Sequence, residues 1–189
     1  MSESGDAGTE LMDRVGLAGT VARLGREIAA DFPDGVVLVG LLKGSACLIA
    51  DLARALRAPC SVDFLALSSY GGGGSRVKVA KDLDVDVADR DVVVVMDLVD
   101  TGLTLAYVLR LLGERGARSA ECCALLDRRV RRLIPVPIRY VGRVIGDEYV
   151  VGYGLDLDER FRNLSDLVVI DPGRARALPD AMLDRLARR

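Results

Sequence analysis

Apolar residues recur at helical spacing in three stretches of this chain and run unbroken in several shorter ones. Leu17, Val21, Leu24 and Ile28 fall on one face of a helix, which the turn residues Phe32-Pro33-Asp34-Gly35 close. Ile49, Leu52, Ala53 and Leu56 form a second stripe, and Leu105, Val108, Leu109 and Leu112 a third, with Gly116 placed to cap it. Between the stripes lie apolar runs of strand length at residues 36–42, 62–66, 77–81, 92–95, 119–126 and 167–170. In the second of these, Val62, Phe64 and Ala66 alternate with Ser61, Asp63 and Leu65. The order strand, turn, helix, strand predicts an α/β fold built on a parallel sheet with right-handed crossovers. Residues 1–10 are small and polar and are expected to form a disordered tail. Leu178, Met182, Leu183 and Leu186 suggest a terminal helix. There is no internal repeat and no sign of a second domain, so residues 11–189 are expected to fold as one.

One stretch organises the rest. Residues 92–95 are four valines without alternation, which suits a strand buried on both faces. Met96, Asp97 and Asp100 follow, then the turn Thr101-Gly102-Leu103-Thr104 and the third helical stripe. The turn therefore sits at the carboxyl end of a central strand and the amino end of a helix, where open α/β sheets bind ligands and free N–H groups hold phosphate. Gly102 lets backbone approach a ligand, and two threonines add hydroxyls. The carboxylates of Asp97 and Asp100 repel a bare phosphate but suit a ligand that also carries hydroxyls, a metal ion or a removable proton, as a sugar phosphate with Mg²⁺ does. The alternative reading of the turn is structural, with Asp100 or Thr101 as the helix N-cap.

Composition narrows the chemistry. The chain has 189 residues, enough for a sizeable core, and Lys+Arg 26 against Asp+Glu 28 gives a net charge of −2. That balance offers no general surface for nucleic acid or membrane. Histidine is absent, which excludes Ser–His–Asp and Cys–His catalysis and His-ligated zinc. Cys47, Cys60, Cys122 and Cys123 form no CxxC pair and are expected to be buried free thiols in a reducing cytoplasm. The acidic amino terminus is unlike a signal sequence, and no apolar run approaches the roughly 18 residues a membrane span needs. Arg128, Arg129, Arg131 and Arg132 form a basic cluster expected to be a solvated loop rather than a nucleic-acid site. The glycine run 71–74 is expected to be either a hairpin tip or a lid over substrate.

With these segments in order, residues 17–170 resemble the hypoxanthine/guanine phosphoribosyltransferases. Four blocks carry the likeness: Leu41-Leu42-Lys43-Gly44-Ser45, Val62-Asp63-Phe64 through Ser68-Ser69-Tyr70-Gly71, residues 92–105 and residues 147–164. The third is similar to that family's motif for phosphoribosyl pyrophosphate. The resemblance implies the type I phosphoribosyltransferase fold, a central parallel sheet flanked by helices with a small hood at about residues 140–170. It implies a purine salvage enzyme, cytoplasmic and Mg²⁺-dependent, that joins hypoxanthine or guanine to phosphoribosyl pyrophosphate and releases pyrophosphate. A homodimer or homotetramer is the implied assembly.

Carried over by position, Asp100 faces the attacking ring and accepts its N7 proton, while Thr101, Gly102, Leu103 and Thr104 wrap the 5′-phosphate. Leu42, Lys43 and Gly44 form the pyrophosphate loop, which in this family contains a non-proline cis peptide, and Arg162 also serves pyrophosphate. Asp97 lies by the ribose and metal, Asp156 reaches a second Mg²⁺, Tyr149 stacks on the base and Val150 offers backbone to its edge. Ser69 and Tyr70 begin the lid. Two positions depart from the family pattern. Met96 stands at the ribose where an acidic residue is usual, implying weaker donor binding or slower turnover. Arg128 replaces a lysine that donates to the purine 6-oxo group, and its broader fork can shift base preference. Besides the salvage enzyme, two further readings follow: a paralogue acting on another purine-like base such as a 7-deazapurine, and a non-catalytic sensor of the donor.

Overall fold

The computed structural model describes residues 8–70 and 76–177. The glycine run 71–74 and the expected terminal helix lie outside the described residues. In chain order the elements are β1 (Thr9–Met12), α1 (Arg14–Asp31), β2 (Val36–Leu41), α2 (Ala46–Ala55), β3 (Cys60–Tyr70), β4 (Arg76–Lys81), β5 (Asp91–Val99), α3 (Leu103–Glu114), β6 (Ser119–Arg128), β7 (Tyr140–Ile145), β8 (Tyr149–Val151), β9 (Leu167–Ile170) and α4 (Pro172–Arg176). Two sheets result. A six-stranded sheet runs β4-β3-β2-β5-β6-β7, and a three-stranded one runs β1-β9-β8. In the larger sheet every neighbouring pair is parallel except β3 with β4.

The four valines of β5 are fully buried, as their unbroken apolar run predicts. Alternation splits them between two cores. Val93 and Val95 pack with the α1 and α2 stripes, including Leu24, Ile28 and Leu52. Val92, Val94 and Met96 pack with Leu105, Val108 and Leu112 of α3. Helix α1 begins where the Asp13 carboxylate accepts from Gly16 N–H at 2.7 Å. Helix α3 ends in a Schellman turn: Ala117 N–H donates to Leu112 O at 3.1 Å and Gly116 N–H to Gly113 O at 3.0 Å, with Gly116 at φ +77°.

Several sequence expectations are corrected. The tail does not extend to residue 10, because Thr9–Met12 pairs with β9 as a strand. The hood is the β1-β9-β8 sheet with the loop that joins β8 to β9; Tyr140–Ile145 belongs to the main sheet instead. In β3 the buried positions are Asp63 and Leu65, and Val62 is exposed. Cys60 is exposed and Cys47 half-buried, so only Cys122 and Cys123 are core thiols. Desolvation pushes the Cys123 thiol up to about 12. No helix among the described residues is long and apolar enough to cross a membrane.

The hood is tied to the body at its base. Asp166 accepts from Arg14 N–H at 2.7 Å, Arg143 donates to Leu11 O at 2.8 Å, and the Tyr153 hydroxyl donates to Asp51 of α2.

Burying Asp63 needs compensation. Its carboxylate accepts from Phe64 N–H at 2.7 Å, Asp84 N–H at 2.7 Å, Val85 N–H at 2.9 Å and the Lys81 ammonium at 3.3 Å. Burial pushes the group up, but the three amides and Lys81 together hold it below the ordinary carboxylate range. A carboxylate with a depressed folded pKa stabilises the fold above its unfolded pKa and loses that contribution as pH falls through the folded value. Asp63→Asn is expected to cost about 1–3 kcal/mol at neutral pH. In urea unfolding across pH, the gap between wild type and variant should narrow below about pH 4; a gap that stays constant would remove the carboxylate from this role.

Candidate active site

Parallel pairing brings the carboxyl ends of β2, β5 and β6 to one edge. Gly40 of β2 lies opposite Val95 of β5, and Val99 of β5 opposite Asp127 of β6. The segments that leave these strands, residues 42–44, 100–104 and 128–134, therefore meet. Residues 149–162 of the hood cover them from the other side.

The turn after β5 is an open amide cluster. Gly102 stands at φ +89° and is the residue before α3. Neither Asp100 nor Thr101 is the helix N-cap; the cap has no side-chain acceptor, and the Thr101 hydroxyl meets only Leu103 N–H, at 3.4 Å. The amino end of α3 thus keeps donors free for an anion. Leu103 and Thr104 are exposed there.

Asp100 and Arg128 form a pair beside this turn. Arg128 Nη1 lies 3.3 Å from Asp100 Oδ2, and Nη2 donates to the O of Glu148, the residue before β8, at 2.6 Å. Arg128 is the last residue of β6 and is buried, not part of a solvated arginine loop. Two atoms of the pair, Asp100 Oδ1 and Arg128 Nε, are buried without a hydrogen-bond partner. An acceptor and a donor left unsatisfied together are costly unless something completes them.

Across the cleft, residues 42–44 carry a cis peptide between Leu42 and Lys43. Lys43 Nζ pairs with Glu159 at 3.0 Å. Glu159 also takes Arg162 at 3.2 Å, and Arg162 pairs with Asp156 at 2.9 Å and donates to Gly154 O at 2.7 Å. The two cations hold the Glu159 carboxyl below its ordinary value. Packing here leaves no room for side chains at two glycines. A Cβ on Gly44 would lie 1.7 Å from Asp97 Oδ2, and one on Gly154, at φ +100°, would lie 2.1 Å from Gly44 O.

Burial raises the Asp97 carboxyl and the Asp156 charge adds to that, while backbone hydrogen bonds and the Arg162 charge oppose it. A cation would relieve both effects. The pair is oxygen-only, which suits Mg²⁺, an ion that takes one or two carboxylates and completes its shell with water and phosphate oxygens. No cluster of three or more acidic, His or Cys side chains able to cage a metal occurs among the described residues. Asp97 and Asp156 are of a chemistry that could hold magnesium only together with water and phosphate oxygens.

The remaining expected residues divide. Tyr149 is half-buried, with its hydroxyl donating to Asp156 O at 3.1 Å, and Val150 is buried beside it in β8, the edge strand of the hood sheet. Ser69 and Tyr70 lie in β3, where they pair with Val77 and Arg76 of β4. Met96 is 5% exposed in the cluster under α3, so the ribose role implied for its position is not one this side chain fills. Sequence reading missed Asp127, Arg132, Gly154 and Glu159. Arg132 donates from Nε to Asp100 O at 3.0 Å and pairs with Asp127. Only the glycine-laced Gly152-Tyr153-Gly154 signalled a close approach; the others act through contacts that spacing does not reveal.

Comparison with known proteins agrees with this geometry. The family model described as "Phosphoribosyl transferase domain" matches residues 13–159. The hypoxanthine phosphoribosyltransferase of Salmonella typhimurium is 47% identical over 150 residues, 76% of this chain and 84% of that protein. The hypoxanthine-guanine phosphoribosyltransferase of Mycobacterium avium is 42% identical over 178 residues, 89% of this chain and 88% of that one. A crystal structure of a hypoxanthine-guanine phosphoribosyltransferase from Bacillus anthracis superposes with TM-score 0.83 at 35% identity, covering 86% of this chain and 98% of the other.

Gly44→Ala forces its Cβ into Asp97 and so tests whether this close contact matters. Turnover is expected to fall about 100-fold, the scale of an ångström-level misplacement, with a small change in melting temperature. Near-wild-type turnover would show that Asp97 has no positional demand.

Proposed function

Because the chain belongs to the phosphoribosyltransferase family, among relatives named for hypoxanthine and guanine, we propose that it converts either base and phosphoribosyl pyrophosphate to the nucleoside 5′-monophosphate and pyrophosphate. It is an enzyme of pentosyl transfer. The observation that carries the choice of base is the Asp100–Arg128 pair, in which Arg128 is buried and the atoms Asp100 Oδ1 and Arg128 Nε are buried without a partner. A 6-oxopurine offers the complement, an N7 proton beside a 6-oxo acceptor. A 6-aminopurine would bring a donor against the guanidinium.

In the reaction, N9 of the base attacks the anomeric carbon as its bond to pyrophosphate oxygen breaks. The ring passes through an oxocarbenium-like state. Asp100 accepts the N7 proton, so the base becomes neutral as the new C–N bond completes. The amides of residues 101–104 hold the 5′-phosphate. Lys43 and Arg162 hold the pyrophosphate, displacing Glu159. Tyr149 stacks on the ring, and the outward backbone of Val150 meets its edge. Asp97 and Asp156 would hold Mg²⁺, which supplies positive charge to the leaving group. Ser69 and Tyr70 start the segment that closes over the donor. A cytoplasmic homodimer or homotetramer is the proposed setting. The deazapurine and sensor readings gain no support from the names of the relatives.

A base panel with phosphoribosyl pyrophosphate and Mg²⁺, followed by pyrophosphate release, tests the proposal. Hypoxanthine and guanine should turn over, and adenine and a 7-deazapurine should be poor substrates. Absence of pyrophosphate release with every base would overturn it. Asp100→Asn should lower kcat by about 10²–10⁴ with little change in the donor KM. Arg128→Met should lower kcat/KM for hypoxanthine about 10- to 100-fold, and Arg128→Lys should retain most of it.

A further inference from the structure

The proposed phosphate turn is gripped from outside by a segment that need not touch substrate. Arg132 Nε donates to Asp100 O at 3.0 Å. The next carbonyl, Thr101 O, accepts from Leu133 N–H at 2.9 Å and from Ile134 N–H at 3.4 Å. At Gly102 the same segment lies close. A Cβ there would be 2.9 Å from Arg132 Cδ and 3.0 Å from Ile134 O. Arg132 is itself anchored, because its Nη2 pairs with Asp127, whose side chain is 3% exposed. Asp127 also takes Arg129 Nε at 2.8 Å.

A trans peptide is planar, with its C=O and N–H pointing in opposite directions. Fixing the carbonyls of Asp100 and Thr101 on the outer side therefore turns the N–H groups of Thr101 and Gly102 to the inner side. Those two N–H groups have no hydrogen-bond partner among the described residues. Without the brace, either peptide plane could rotate and lose its aim at little cost.

We propose that Asp127 and Arg132 are positioning residues: Asp127 holds the guanidinium, and the guanidinium holds the Asp100 carbonyl so that the turn's amides face the 5′-phosphate. This rests on the reading of residues 101–104 as the phosphate cradle. The buried carboxylate at 127 then has a purpose that general stability does not require. Removing its charge loosens a donor two links away from the ligand.

The test is binding of GMP, guanosine and inorganic pyrophosphate to the wild type and to Arg132→Met, Arg132→Lys and Asp127→Asn, with melting temperatures alongside. In Arg132→Met and Asp127→Asn, GMP affinity should fall about tenfold, the scale of one charge-assisted hydrogen bond. The KM for phosphoribosyl pyrophosphate should rise to match. Guanosine and pyrophosphate should bind as to the wild type, because neither uses the turn's amides. Unchanged GMP affinity in the folded variants would overturn the proposal, as would equal loss for all three ligands. If Arg132→Met does not fold, Asp127→Asn and Arg132→Lys decide, since both keep the local volume. A wild type that binds guanosine as tightly as GMP would instead refute the phosphate cradle itself, and the brace with it.

Discussion

Strand β5 is paired in parallel on both sides, with β2 and with β6, and its valines are buried on both faces. That double pairing is the constraint from which the site follows. Parallel strands end at one edge, so the loops after β2, β5 and β6 must meet wherever β5 stops. β5 stops at Val99, and Asp100 is the first residue free of the sheet. Its carboxylate is thus delivered to the cleft by a strand held by parallel partners on both sides.

Charge in the cleft is arranged as separate cells. On one side, Asp100 and Arg128 neutralise each other imperfectly, leaving one acceptor and one donor unused. On the other side, Lys43 and Arg162 share the Glu159 carboxylate. Lys43 and Glu159 are both exposed, so their pair is weak and can yield to a multiply charged ligand. Between the cells lie Asp97 and the two glycines, where backbone comes within contact distance of a carboxylate. The arrangement binds little by itself but is completed by a ligand with a phosphate, a pyrophosphate and a ring that donates and accepts on adjacent atoms.

Much of this was legible in the sequence, and the gaps have physical causes. Helical spacing located α1, α2 and α3, because each buries one stripe against one sheet face. The run 92–95 marked the central strand, because burial on both faces abolishes alternation. The turn at 100–104 could be read from residue type, since Gly102 adopts a conformation that suits glycine. In β3 the pattern misleads, because Asp63 is a buried carboxylate satisfied by amides 21 and 22 residues on. The hood was misplaced for a similar reason. Thr9–Met12 joins it from the far end of the chain, and no local pattern predicts a pairing with Leu167–Ile170. Arg128 looked solvated within a basic run, yet the strand extends through it and buries it. Asp127 and Arg132 carried no motif at all, since their effect is on carbonyls, which every residue has.

The proposed site depends on whether the amides of residues 101–104 grip a 5′-phosphate. Amide chemical shifts of isotope-labelled protein during titration with ribose 5-phosphate test it most directly. Large downfield shifts of the Thr101 and Gly102 amide protons are expected, with those of Lys43 and Gly44 little changed. Shifts confined to other segments, with residues 101–104 unmoved at saturation, would contradict it.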